Sequence, residues 1–226
     1  TLTPILSHYV RQLSHALGDV PLWFMQSSGQ LTEAHTFRGR NSVLSGPAGG
    51  VVAAVRCAKQ DGEDMLVGLD MGGTSTDVFH YAGRFERTTE TTVAGARLRT
   101  PMMDVHTVAA GGGSICRYED ARFVVGPDSA GALPGPMAYR NGGPLTITDV
   151  NLLLGRGAPE HFGIPIDLTR SEAALDELRR DLRDRGFDDA GRMEILEGLR
   201  DIADERMAEA MRSISIREGV DPRRHI

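Results

Sequence analysis

Residues 66–81, LVGLDMGGTSTDVFHY, join an apolar run to two glycines, three hydroxyl residues and two carboxylates. A strand that ends at Asp70, turns through Gly72 and Gly73 and continues into a second strand makes a β-turn-β hairpin. The missing Cβ atoms of the two glycines let backbone N–H groups approach a ligand closely. Amide-lined turns of this kind bind anions, phosphate above all. Thr74, Ser75 and Thr76 add hydroxyl donors, whereas Asp70 and Asp77 would repel a bare phosphate. The two acids make sense if a hydrated Mg2+ lies between them and the phosphate, or if one of them orients an attacking water. The turn is not a P-loop: no G-x-x-x-x-G-K-[ST] occurs, and the nearest glycine cluster, SGPAGG at 45–50, has no lysine. The competing reading is a plain hairpin turn with polar decoration.

The rest of the chain limits what this turn can belong to. At 226 residues with 40% hydrophobic content, the chain can bury a substantial core as one large domain or two small lobes. The formal charge is -6 and like charges do not run together, which argues against nucleic acid as a partner. No apolar stretch approaches the roughly 20 residues that cross a bilayer, and the N-terminus lacks the charged-then-apolar pattern of a secretory signal. Cys57 and Cys116 are far apart and neither sits in a C-x-x-C pair, so free thiols in a cytoplasmic protein are expected. Glycine makes up 27 of 226 residues, about 12% against a usual ~7%, and clusters before residue 160. The chain begins at Thr1 and ends at DPRRHI (221–226), where a polar turn leads toward a new apolar element, so a piece of something longer is expected.

Periodicity predicts an amphipathic helix over 4–17, with Ile5, Tyr9, Leu13 and Leu17 at intervals of four, and a short buried strand over 20–25. Residues 45–60 read as a glycine-softened helix with Ser45 as N-cap and Pro47 in its first turn. A strand over 64–70 follows, then a hairpin over 76–90 turning at Ala82-Gly83, further extended chain over 95–109, and ordered loop over 126–144. A capping box from Thr169 to Glu172 opens a helix that stops at Gly186. A second helix is expected over about 191–218, with Leu196, Leu199, Ala203, Met207, Ala210 and Ile214 on one face. The pattern is α/β, a glycine-rich part over 1–160, followed by a helical C-terminal part over 161–226.

A second cluster lies in MMDVHTVAAGGGS (102–114). Asp104 and His106 alternate along extended chain, so both point to one face, toward a site built by Gly111, Gly112 and Gly113. The functional reading is substrate or metal contact, with His106 as proton donor or ligand and the three glycines as further cofactor contacts. The alternative is a structural Asp-His hydrogen bond. The helix N-terminus at SGPAGG could face an anion, although its small residues are explained equally by close packing. Asp149 and Asn151 in TITDVNLLLGR could contact a ligand, but a polar turn before a helix accounts for them more simply. His8, His15, His80 and His161 carry no partner pattern.

LSGPAGGVV, GLDMGGTSTDV, DVHTVAAGGGSI, FVVGPDSAGALPGPMAY and GGPLTITDVNLLLGR resemble, in this order and spacing, the hydantoinase A and 5-oxoprolinase family. The resemblance runs from about Gln26 to the end of the chain. It implies a ribonuclease-H-like lobe with a mixed sheet, as in the actin, Hsp70 and sugar-kinase superfamily, in which two such lobes close over ATP. DMGGTSTDV is similar to one of that superfamily's paired phosphate loops, with Asp70 at the acidic position holding Mg2+ through water and Gly72, Gly73 and Thr74 in the backbone cradle. The family's other phosphate loop and its adenosine motif lie outside the motifs present here. The resemblance therefore implies a central segment that binds ATP weakly or not at all and hydrolyses none in isolation. It further implies ATP-driven opening of a cyclic amide together with a second, B-type subunit or domain, and the family also includes ketone carboxylases. A non-catalytic actin-like nucleotide module that regulates a partner is the alternative. YAGRFERTTETTVAGARLRTP and HTVAAGGGS are similar to the oxoprolinase branch. Where many members have cysteine in GPACY, this chain has Ala138 in GPMAY.

Overall fold

A computed structural model describes residues 2–93, 95–187 and 191–226. The elements in chain order are α1 (Leu2–Leu17), β1 (Trp23–Met25), β2 (Leu31–Glu33), α2 (Ser45–Gln60), β3 (Met65–Met71), β4 (Thr76–Ala82), β5 (Arg87–Val93), β6 (Ala96–Met103), β7 (His106–Val108), β8 (Ser114–Glu119), β9 (Arg122–Ser129), α3 (Ile147–Leu153), α4 (Leu168–Asp184) and α5 (Arg192–Glu218). The strands form four small sheets: β1-β2, β3-β4-β7, β5-β6 and β8-β9. No helix among the described residues is long and apolar enough to cross a membrane.

Two compact units share the chain. The first holds residues 1–70, 78–106 and 214–226; the second holds 71–77 and 107–213.

In the first unit, α2 lays Ala48, Val51, Val55 and Ala58 against Leu66, Phe79, Tyr81 and Met103. Gly68 lets the ring of Phe79 lie where a side chain would stand, since a Cβ there would be 2.0 Å from Phe79 Cζ. Ile226 joins this unit: the Val67 N–H donates to the Ile226 carbonyl at 3.0 Å, and the Ile226 N–H donates to that of Met65 at 3.3 Å. Three expectations fail here. The N-cap of α2 is Leu44, at φ 59, rather than Ser45, and no side chain caps the helix. The strand near residue 23 is not buried, Trp23 being 55% exposed, and α1 buries only Val10 of its apolar residues. The turn at Gly83 does not make a β4–β5 hairpin: only Tyr81 and Phe85 bridge there, and β5 pairs instead with β6, from Arg87↔Met103 to Val93↔Ala96. Cross-strand charge accompanies that pairing, since Glu90 sits opposite Arg99 and bonds both Arg97 and Arg99.

In the second unit, α4 and α5 bury Leu175, Leu182, Ile195, Leu196, Leu199 and Ala203 against Cys116 and Val125 of the β8-β9 hairpin and Ile147 and Val150 of α3. Each fully buried Leu or Ile contributes roughly 1.5–3 kcal/mol. The N-cap of α4 is Asp167, whose carboxylate accepts the Thr169 N–H at 3.2 Å, so the Thr169–Glu172 capping box is not used. A capping box forms instead at α3, between Thr146 and Asp149.

Candidate functional site

The turn between β3 and β4 is held from behind by its carbonyls. Gly72 O accepts the Gly112 N–H at 3.0 Å and Gly73 O accepts the Gly113 N–H at 2.6 Å, while the Gly72 N–H closes the turn onto Ser75 O at 2.8 Å. A trans peptide is planar, so each carbonyl points opposite to the N–H of the next residue. Fixing the carbonyls of Gly72 and Gly73 on the backing segment therefore aims the N–H groups of Gly73 and Thr74 away from it. Among the described residues, neither N–H has a protein acceptor. Two successive outward amides in an exposed turn are thus left without a bond among the described residues. Gly73 and Thr74 line a cleft of about 320 Å³, with Gly113, Gly131, Pro136, Tyr139 and Thr148 along its other walls.

The glycines of 111–113 work from the other side. The Gly111 N–H donates to Ser114 Oγ at 2.9 Å, and those of Gly112 and Gly113 go to the turn, so all three amides are spent inside the protein. The absence of side chains is what the position requires. A Cβ at Gly111 would meet Gly72 O and Ser75 N at 2.8 Å, and one at Gly113 would meet Gly73 O at 2.9 Å. Thr148 fixes the segment through Gly112 O, donating its N–H at 2.7 Å and its hydroxyl at 2.9 Å.

The remaining predicted residues fall into three groups. Thr74 is exposed and Ser75 half-buried, and neither hydroxyl bonds a protein partner among the described residues. Thr76 is fully buried and donates its hydroxyl to Ala110 O at 2.6 Å, and Asp77 accepts the Thr107 hydroxyl at 2.6 Å, so both hold the base of the turn. Asp70 is exposed at the end of β3, with its carboxylate over Gly50 of α2, where a Cβ would come within 3.3 Å. Asp104 and His106 do not bond each other: Asp104 pairs with Arg217 at 2.7 Å, while His106 is exposed without a partner among the described residues.

The most heavily bonded acid is Asp149, which the polar-turn reading undervalued. It is fully buried and accepts five hydrogen bonds, from the N–H groups of Met137 (3.1 Å), Ala138 (2.8 Å) and Thr146 (2.9 Å) and the hydroxyls of Thr146 (2.8 Å) and Ser171 (2.7 Å). Five donors replace the water that a buried carboxylate loses. The carboxylate thereby fixes the Met137–Tyr139 turn, whose Tyr139 and preceding Pro136 wall the cleft. The T-x-x-D spacing of Thr146 and Asp149 was its one local signal. Nearby, burial pushes the Cys116 thiol well above its ordinary range, with the Asp149 charge adding to the effect.

The hydantoinase/oxoprolinase family profile matches residues 1–226, the whole chain. The chain belongs to that family. As a hydantoinase/oxoprolinase-family chain it is 42% identical to the 5-oxoprolinase of Saccharomyces cerevisiae over 231 residues, covering 96% of this chain and 18% of that protein. It is 34% identical to caprolactamase subunit alpha of Pseudomonas jessenii, over 98% of this chain and 33% of that one. The crystal structure of the ATP-dependent caprolactamase from that organism superposes with a TM-score of 0.77 at 32% identity, over 98% of this chain and 33% of that chain. The nucleotide-free structure of acetone carboxylase gives a TM-score of 0.83 over 97% of this chain and 32% of that chain; at 23% identity, this likeness is one of fold. The chain thus spans a fifth to a third of the length of these relatives, and the α/β fold expected from the motifs is shared with them.

Proposed function

We propose that this chain supplies a phosphate-binding loop to a longer, ATP-dependent cyclic-amide hydrolase of the 5-oxoprolinase type. The observation that carries the reading is the pair of outward amides at Gly73 and Thr74, unpaired among the described residues and fixed by the carbonyl bonds behind them. A cradle lined by N–H groups and free hydroxyls suits phosphate oxygens. The identity to 5-oxoprolinase supports the substrate class, and the ATP dependence of the caprolactamase supports the nucleotide. Bound ATP would supply activation of the ring amide, whose opening is otherwise slow.

The chain's own residues would then position and neutralise rather than react. Gly73 and Thr74 would donate their amides to phosphate oxygens, with the Thr74 and Ser75 hydroxyls beside them. Asp70, one residue before the turn begins, is the acid assigned to Mg2+ through water, and Asp77 shapes the turn through Thr107. His106, exposed and unpaired among the described residues, is the residue left to meet substrate. A second, B-type subunit or domain would complete the enzyme, as the alpha-subunit designation of the caprolactamase relative suggests.

The test is ADP release by the longer cytoplasmic enzyme with and without 5-oxoproline. Turnover that depends on the lactam and is lost in Asp70→Ala is the expected result. Turnover indifferent to any lactam would turn the reading toward a regulatory nucleotide module, and full activity of Asp70→Ala would remove that acid from the mechanism.

A further inference from the structure

A polar cavity of about 350 Å³ lies within the first unit, where the turn between β1 and β2, the 3-10 turn Gly39–Asn41 and the end of β6 meet. Buried Ser27 ties the three together. Its N–H donates to Asn41 O at 2.7 Å, its hydroxyl donates to the same oxygen at 2.9 Å, and its carbonyl accepts the Met103 N–H at 2.8 Å. The turn itself is closed by the Gln26 N–H on Gln30 O at 2.8 Å and the Gly29 N–H on Gln26 O at 2.9 Å, with Gly29 at φ 78. The walls therefore stand on fixed backbone, and the volume falls in the range of small-molecule clefts, about 300–1,000 Å³.

The lining is unspent polar chemistry. Gln26, Gln30, Arg40, Asn41 and Arg99 line the cavity, and no carboxylate does. Among the described residues the side chains of Gln26, Gln30, Arg40 and Asn41 have no partner. Arg99 donates its Nε–H to Glu90 at 3.1 Å, which leaves both of its terminal NH2 groups. Glu90 is shared with Arg97, so three guanidinium charges stand against one carboxylate. Ser28 also lines the cavity, and its Oγ is buried without a hydrogen-bond partner. Buried hydroxyls are normally bonded, and the cavity is where a partner for this one can enter.

Surplus guanidinium charge selects an anion, since the arginine fork matches carboxylate and phosphate alike. The three carboxamides separate those two. Each offers N–H donors and a carbonyl acceptor. A bare oxyanion takes only the donors, whereas a molecule that joins a carboxylate to an N–H group uses both kinds.

We propose that this cavity binds a small carboxylate that also carries an N–H group, with its charge toward Arg40 and Arg99 and its N–H on the carboxamides. 5-Oxoproline and its ring-opened product, glutamate, both have that chemistry. Naming them rests on the oxoprolinase reading above, whereas the anion site rests on the lining alone. No residue of the proposed phosphate loop takes part in that lining.

Isothermal titration calorimetry of the full chain with 5-oxoproline, glutamate, caprolactam and inorganic phosphate tests it. The expected result is one-to-one binding of 5-oxoproline, marking a substrate site, or of glutamate, marking a product site. Caprolactam, a lactam without a carboxylate, should give no heat, and phosphate should bind more weakly. Arg40→Gln and Arg99→Gln should each weaken the carboxylate by about 10–100-fold; both side chains are exposed, so both variants should fold. Asp70→Ala should leave binding unchanged. Heat from neither carboxylate, equal binding of caprolactam or phosphate, or affinity kept in both arginine variants would overturn the proposal. Lactam-dependent ADP release by the longer enzyme without such binding would remove this site alone, whereas binding without lactam-dependent release would uphold the site and remove the oxoprolinase reading.

Discussion

Gly111→Ala tests the coupling of the proposed phosphate loop to its backing. The new Cβ would stand 2.8 Å from Gly72 O and Ser75 N and 2.9 Å from Gly73 C, where ordinary contact begins at 3.4 Å. The turn must therefore retreat by about 0.6 Å. All three obstructing atoms are backbone, so no side-chain rotation relieves the clash. Overpacking of this kind costs about 1–3 kcal/mol of stability. Because the Gly72 and Gly73 carbonyls are tied to Gly112 and Gly113, the turn moves as a body and carries both outward amides with it. Charge-assisted hydrogen bonds are best near 2.7–2.9 Å and weaken steeply beyond, so a displacement of this size lowers kcat/KM for ATP by about 10–100-fold, or roughly 1.4–2.8 kcal/mol. Steady-state ADP release by the longer enzyme reads that loss, with thermal unfolding as the check that the variant is folded. A folded Gly111→Ala enzyme with wild-type kcat/KM for ATP would refute the proposed loop geometry.

Gly73→Ala should behave differently: its Cβ meets nothing within 4 Å, so Tm should hold within about 0.5 kcal/mol of stability while KM for ATP rises as the methyl crowds the cradle. Unchanged KM would place the nucleotide elsewhere. Asp149→Asn puts NH2 donors against N–H and O–H donors, and removing a fully bonded buried charge should cost about 3–5 kcal/mol; a denaturant midpoint near wild type would show those five bonds to be dispensable. Burial raises the Cys116 thiol pKa, so the folded chain keeps that proton, and stability falls as pH climbs past about 8.5, where the unfolded thiol ionises. Iodoacetamide at neutral pH should accordingly label exposed Cys57 and spare Cys116 until the protein unfolds, as peptide mass mapping would show. Gly198→Ala, inside α5 with open space around the new methyl, should raise stability by about 0.5–1 kcal/mol; a lower Tm would indicate that this position needs its glycine.

Long-period patterns were the legible part of the sequence. The apolar stripe through Leu196, Leu199 and Ala203 is the buried face of α5 because nothing local competes with helix there. Caps were less legible, since Ser45 and Thr169 satisfy the composition rule while Leu44 and Asp167 occupy the positions. Strand pairing was misread where two glycine turns are on offer: Gly83 and Gly95 both adopt positive φ, and the long ladder closes over the second, between β5 and β6. At the site, D-x-G-G-T marked a turn with outward amides, whereas the amides of 111–113 bond within the protein: glycines that offer amides and glycines that make room look alike in sequence. His80 and Asp149 draw their partners from across the chain, beyond the reach of local spacing.

The chain passes between its two units four times, at 70/71, 77/78, 106/107 and 213/214. Synthesis is vectorial, so the second unit has all its residues once position 213 has left the ribosome, while the first still lacks its closing piece. Until Ile226 emerges, Met65 and Val67 keep a carbonyl and an amide without their final partner. Residues of the first unit are therefore translated both before and after those of the second, and neither unit can be cut out as one continuous stretch of gene.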